Sequence, residues 1–365
     1  LENEILVGGN DVIEGGADND FIDGDAGDDR ITGGSGEDIV YGGLGNDTLD
    51  GGAGNDIVFG DDGWTGYASK NPLGNGLLVN NGGESQTLTF GNTINAFIGN
   101  FEIYAEALSN TSGGADTIIA GNGSDIVDGQ SGDDSYIVNM MGGGNRAYTN
   151  VMDSGENDAS DSLTINGTVN ADEFLIRASD LGLGMVASLP EIQTDPNSPA
   201  SRTQIERVNF WNVGGEKTGV ENLAVNAGAG DDKISIDGTL STISIDAGAG
   251  NDTVTVGQMF DSKRTTDANL SNVQPKDVFG TTETTQGYLS NGVEHATSIV
   301  GGEGDDTFNV LHNKAAVSLS GGLGNDTFNV AMFQEKHEDE TTSIVENGPV
   351  TLIGGAGIDK MSIAG

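Results

Sequence analysis

Carboxylates at a fixed interval are the first chemistry this sequence offers. Between residues 15 and 59 one nine-residue unit is written five times without a break. The copies read Gly15-Gly-Ala-Asp-Asn-Asp20-Phe-Ile-Asp, Gly24-Asp-Ala-Gly-Asp-Asp29-Arg-Ile-Thr, Gly33-Gly-Ser-Gly-Glu-Asp38-Ile-Val-Tyr, Gly42-Gly-Leu-Gly-Asn-Asp47-Thr-Leu-Asp and Gly51-Gly-Ala-Gly-Asn-Asp56-Ile-Val-Phe. A weaker copy over residues 6–14 puts Asp11 in the same slot. Stacked carboxylates repel each other unless a cation lies between them. Ligands that are all oxygen, part carboxylate and part backbone carbonyl, suit a hard ion such as calcium.

The unit has two halves that must position these groups. Gly-Gly-x-Gly-x-Asp disfavours both helix and strand, because glycine is conformationally permissive and weakens either element. It suits a tight turn with exposed carbonyl oxygens. The last three positions carry one apolar residue, namely Ile22, Ile31, Val40, Leu49 and Val58. Three residues with one inward side chain make a short strand. Two units, or 18 residues, then complete one flattened winding. Asp20, Asp38 and Asp56 fall on one edge, and Asp11, Asp29 and Asp47 on the other.

The units resemble the RTX nonapeptide, Gly-Gly-x-Gly-x-Asp-x-(apolar)-x. The resemblance implies an all-β fold, a right-handed parallel β-roll or β-solenoid with a calcium ion in each turn. It also implies that motif aspartates and turn glycines of adjacent coils share the ion. In the first tract these glycines are Gly15, Gly24, Gly27, Gly33, Gly36, Gly42, Gly45, Gly51 and Gly54.

Further along, the register returns at 111–137 with Asp116, Asp125 and Asp134 nine apart. Residues 61–110 read as an insertion that caps or packs on the roll, the rival reading being a partner-binding excursion. Residues 141–204 read as degenerate coils, with strands at 162–165 and 173–177, and a loop holding Pro190, Pro196 and Pro199. From 205 to 365 the winding lengthens. Asp232 and Asp252 are 20 apart, as are Asp306 and Asp326. Their turns, with Gly230, Gly250, Gly304 and Gly324, alternate with ordinary turns such as Asp237-Gly-Thr-Leu-Ser241. This predicts a calcium turn on one edge only, with loops near 257–298 and 331–348. A last copy ends in Asp359, without a following winding to complete its site. The domain reading is therefore 1–60 roll, 61–110 insertion, 111–140 roll, 141–204 degenerate coils and 205–365 single-edge solenoid.

Composition sets limits on function. With 14 basic and 57 acidic residues the net charge is −43. Such a chain repels nucleic acid and anionic lipid. There are no cysteines, which excludes disulfide scaffolds and thiol chemistry. No run approaches the length of a membrane-spanning helix, so no membrane insertion is expected. The ends, Leu1 and Met361-Ser-Ile-Ala-Gly365, read as those of a piece of a longer protein. No His-Glu-x-x-His or Gly-x-Ser-x-Gly motif occurs, and His295, His312 and His337 stand in unrelated contexts. The expectation is a non-enzymatic, calcium-dependent structural segment of a secreted or cell-surface protein, and the RTX resemblance implies export by type I secretion. It would belong to an adhesin, surface layer or toxin-like protein and fold on calcium after export. Expected partners are calcium ions, other copies or domains of the parent protein, or surface glycans. The alternative is an accessory part of a secreted hydrolase or polysaccharide epimerase.

Overall fold

The computed structural model describes residues 9–60, 63–68, 77–81, 84–88, 96–98, 101–107, 114–130, 132–142, 147–153, 160–179, 182–189, 205–211, 219–264, 278–337, 339 and 341–364. Every regular element among them is a strand. The chain divides into two compact units. Unit 1 is Leu1–Tyr136 with Thr149–Ala159, and unit 2 is Ile137–Tyr148 with Ser160–Gly365.

In unit 1 the nonapeptides wind as their spacing predicts. Val12–Ala17, Arg30–Ser35, Thr48–Ala53 and Thr117–Ile119 pair in parallel on one face. Ile13 faces Ile31, Ile31 faces Leu49, and Leu49 faces Ile118. The opposite face stacks Phe21–Asp23, Ile39–Tyr41, Ile57–Phe59, Ile126–Asp128 and residues 149–152, also in parallel. One strand per winding is longer than expected. Arg30–Ser35 and Thr48–Ala53 run on into the glycine half of the unit, where Gly34 pairs with Gly16 and Gly52. Identical turns stacked in register can hydrogen-bond like strands, which overrides the weak intrinsic preference of glycine.

Strand alternation aims every second side chain inward. Ile31, Leu49 and Ile118 line one inner face, and Val40, Val58 and Val127 the other, all buried. More is buried than the single apolar slot implies. Ile39, Tyr41, Ile57 and Phe59 form a second buried cluster, in which Tyr41 and Phe59 stack at 5.2 Å. In a core this thin each side chain contacts only adjacent windings. Leu49→Ala should therefore lower the stability of unit 1 by about 2–5 kcal/mol, read as a shifted denaturant midpoint in millimolar calcium.

The 61–110 insertion contributes Gly63–Ala68, Ala96–Ile98 and Phe101–Ala107 to a three-stranded antiparallel sheet, and a hairpin of Leu77–Asn81 with Glu84–Leu88. What its side chains pack on lies outside the described residues, as does the loop with Pro190, Pro196 and Pro199.

Unit 2 has 20-residue windings from Asp232 to Asp252 and from Asp306 to Asp326, and longer excursions between its other coils. One face stacks Asp161–Asn166, Val220–Asn226, Thr242–Ala249, Thr297–Glu303, Val317–Leu323 and Val350–Ala356 in parallel. The other stacks Glu173–Ala178, Lys233–Ile236, Thr253–Val256, Thr307–Val310, Thr327–Ala331 and Lys360–Ala364. Phe308 and Phe328 stack within it at 4.9 Å.

Two departures from a pure parallel coil appear. Leu183–Ser188 and Glu206–Trp211 join the second sheet antiparallel, beside Glu173–Ala178. The regions read as loops near 257–298 and 331–348 carry small antiparallel sheets. These are Met259–Phe260 with Tyr288–Ser290 and Thr281–Glu283, and Gln334–Lys336 with Thr342–Ile344. Their strands are two or three residues long, too short for a periodic pattern to register.

Candidate metal centre

Each motif aspartate uses its two carboxylate oxygens differently. Oδ1 accepts the backbone N–H of the aspartate one winding earlier. On one edge of unit 1 Asp11 N–H donates to Asp29 (2.7 Å), Asp29 to Asp47 (2.8 Å), Asp47 to Asp116 (2.7 Å) and Asp116 to Asp134 (2.8 Å). On the other edge Asp20 donates to Asp38 (2.9 Å), Asp38 to Asp56 (2.9 Å) and Asp56 to Asp125 (3.0 Å). The two columns are those the 18-residue winding predicts, and both continue across the insertion.

Oδ2 is the chemically informative atom. In Asp20, Asp29, Asp38, Asp47, Asp56 and Asp125 it is buried and has no hydrogen-bond donor. An ionised oxygen in that state is expensive unless a positive charge reaches it. The first glycine of each turn shapes the space beside it. A Cβ built on Gly33 would lie 2.6 Å from Asp38 Oδ2 and 2.6 Å from the carbonyl oxygen of Gly51, one winding on. A Cβ on Gly15 would meet Asp20 Oδ2 and Gly33 O in the same way, and Gly24, Gly42 and Gly51 repeat the arrangement. The glycines at the fourth position of the unit serve a different purpose. Gly27, Gly36, Gly45 and Gly54 have φ near +145° (149, 147, 141 and 148), and each lies against the backbone of the preceding turn. Only glycine adopts that conformation at such close approach without strain.

Unit 2 has one such column. Asp232 N–H donates to Asp252 (2.8 Å), Asp252 to Asp306 (2.9 Å), Asp306 to Asp326 (2.9 Å) and Asp326 to Asp359 (3.1 Å). The Oδ2 atoms of Asp232, Asp252, Asp306 and Asp326 are again buried without a donor. Gly230, Gly250, Gly304 and Gly324 carry positive φ and back onto the preceding turn. Asp359 is exposed, and the three atoms nearest a Cβ on Gly354 all belong to Asp359, with no carbonyl of a following winding among them.

The sequence pattern missed two features. Asp172 heads this column, its N–H donating to Asp232 Oδ1 at 2.7 Å. Its turn has lost all glycines but Gly167, and the surviving signal is the Gly-to-Asp interval of five. The fifth position of the unit is also not a free variable. Asn251 N–H bonds Asp231 Oδ1, Asp305 N–H bonds Asn251 Oδ1, and Asn325 N–H bonds Asp305 Oδ1, in an exposed outer ladder. Asn19, Asp28 and Asn46 do the same in unit 1.

Burial shows in the protonation equilibria. Desolvation, with a second contribution from the neighbouring carboxylates, raises Asp47 to about 6, Asp56 to about 7 and Asp125 to about 8, against the opposing effect of the backbone N–H bond. Asp232, Asp252 and Asp306 rise to about 6 for the same reasons. The columns as built therefore hold their negative charge poorly without a counter-charge. The basic side chains Arg177, Lys314 and Lys336 pair with other carboxylates, those of Asp237, Glu294 and Glu283. The donor set is oxygen only and the orphaned Oδ2 atoms face glycine-lined spaces, which fits a hard divalent cation.

The family model for the RTX calcium-binding nonapeptide repeat matches residues 7–40, 32–63, 110–136, 244–258 and 292–310. The chain carries RTX calcium-binding repeats. Repeats of this kind bind calcium, and the oxygen-only donor set of the matched turns is consistent with that ion. No match is found among curated proteins. The histidines sit apart from the RTX columns. His295 Nδ1 meets Thr239 O, buried His312 Nδ1 meets Ser290 O, and His337 Nε2 meets Ser343 Oγ.

Proposed function

We propose that this chain is a calcium-dependent structural segment of an extracellular or cell-surface protein, one that folds on meeting calcium after export. Proteins with RTX repeats are typically extracellular, and among the described residues no helix is long and apolar enough to cross a membrane. The observation that carries the reading is the stack of buried, donorless Oδ2 atoms in both units. Such columns repel without the ion and are cross-linked with it, so binding free energy is folding free energy. Calcium sites of extracellular modules bind at about 10⁻⁴–10⁻³ M. Sites of that strength stay empty in a cell and fill outside it, which suits a chain threaded unfolded through a type I exporter. A stiff, acidic, repetitive segment serves best as a spacer or scaffold in an adhesin, surface layer or toxin-like protein. We assign it no catalysis of its own.

Removing calcium from the purified chain should abolish most of its β circular-dichroism signal and expand its hydrodynamic radius. Both should recover on adding millimolar calcium but not equimolar magnesium, whose preference for tight octahedral shells fits shared carbonyl turns poorly. A spectrum and radius indifferent to calcium would refute the proposal.

A further inference from the structure

One winding of unit 2 answers its buried charges with protein groups. At Asp172 the Oδ2 atom, orphaned in the turns of Asp232, Asp252, Asp306 and Asp326, accepts two hydrogen bonds. Thr168 supplies both, from its backbone N–H at 2.8 Å and its hydroxyl at 2.9 Å. Thr168 stands where the other turns have their second glycine. At the far end of the same strand, Glu173–Ala178, Arg177 reaches a carboxylate of the next winding, on the edge without motif aspartates. Arg177 Nε donates to Asp237 Oδ2 at 2.9 Å, Nη2 donates to the same oxygen, and the guanidinium lies over the Phe279 ring at 4.7 Å. The Asp237 side chain is fully buried. A charge-assisted pair of this kind needs no metal.

The same winding also has local cohesion. Glu173–Ala178, Leu183–Ser188 and Glu206–Trp211 form an antiparallel meander. Its first turn is closed by Ser179 N–H to Leu183 O and Gly182 N–H to Ser179 O. Phe174, Ile176, Val186, Val208 and Phe210 are buried in it. The first antiparallel contact closes through a turn of a few residues, whereas each parallel coil must close a full winding first.

We propose that residues 167–211 are a calcium-independent nucleus, in which Thr168 stands in for the ion and onto which the calcium-dependent coils of unit 2 assemble. The proposal rests on the coupling of folding to calcium proposed above, and one experiment separates the two. Hydrogen exchange is followed on the full chain, stripped of calcium on chelating resin, and on the same chain with 10 mM calcium.

In stripped protein the amides of residues 174–176, 185–187 and 207–210 should stay protected by roughly 100-fold or more, the scale of a sub-globally stable unit. Those of 39–41, 57–59, 307–310 and 327–330 should exchange freely. Uniform loss of protection would overturn the nucleus and leave the coupling standing. Uniform retention would overturn the coupling, and the nucleus with it. Thr168→Gly, which restores the glycine pair of the other turns, should match the wild type in calcium and lose the residual protection when stripped. Retained protection in the stripped variant would overturn the role given to Thr168.

Discussion

In calcium-free protein, lowering the pH from 8.5 to 5 should restore much of the β-structure of unit 1. The sign follows from the carboxylate columns. Asp47, Asp56 and Asp125 have folded values of about 6, 7 and 8, raised first by desolvation and then by neighbouring carboxylates. An unfolded aspartate titrates near 3.9. Between those limits the folded coil binds more protons than the unfolded chain. The stability of the ion-free fold therefore falls as pH rises through about 4 to 8 and levels off above that. At pH 5 a proton on each carboxylate does part of what calcium does, by removing the repulsion between stacked groups.

With calcium present the slope reverses. The ion holds the carboxylates ionised, protons compete with it, and apparent calcium affinity should weaken by well over tenfold from pH 7.5 to 5. Opposite pH slopes with and without calcium are the result to look for, by circular dichroism on resin-stripped protein. A chelator would confound the test, since it releases calcium in acid. Relief of the overall charge of −43 acts in the same direction but belongs mostly to exposed groups. It is screened at 0.15 M salt, where the Debye length is about 8 Å. Recovery that 0.3 M KCl at pH 8.5 reproduces fully would assign the effect to the surface and refute the role of the buried columns.

How much of this was legible in the sequence depends on how strictly each winding repeats. The register Ile13–Ile31–Leu49 and both aspartate columns of unit 1 follow from the nine-residue period alone, because two identical half-coils can close only as an 18-residue winding. The 20-residue interval between Asp232 and Asp252 likewise marks a winding with one calcium edge. Legibility failed where tertiary partners replaced glycine. Asp172 lacks the motif's other glycines, and Thr168 satisfies its carboxylate there instead. Leu183–Ser188 is buried on both faces and shows no alternation, so its antiparallel pairing was hidden. The outer ladder through Asn251 and Asp305 was hidden for another reason. Asn and Asp look like generic turn formers at that position, and only the stacked geometry shows each side chain reaching the next backbone.

Asp47→Asn should destabilise unit 1 when calcium is present and stabilise it when calcium is absent. Asp47 Oδ1 accepts the N–H of Asp29, and an asparagine can keep that bond. What the substitution removes is the charge at Oδ2, buried and donorless beside the space at Gly42. In about 10 mM calcium a site with a dissociation constant near 10⁻⁴ M adds about 2.7 kcal/mol to the folded state, so losing one site should cost roughly 2–3 kcal/mol. Calorimetry should count at least one ion fewer. In stripped protein the same change relieves the repulsion from Asp29 and Asp28 that, with burial, raises Asp47 to about 6. Residual helix-free β-signal at pH 7.5 should then exceed that of the wild type. Asp47→Ala separates charge from the hydrogen bond. It leaves the buried Asp29 N–H without its acceptor, at a cost of about 1–3 kcal/mol, and should be less stable than Asp47→Asn in both conditions. A merely structural aspartate predicts destabilisation with and without the ion. Only a carboxylate whose charge is balanced by calcium gives curves that cross.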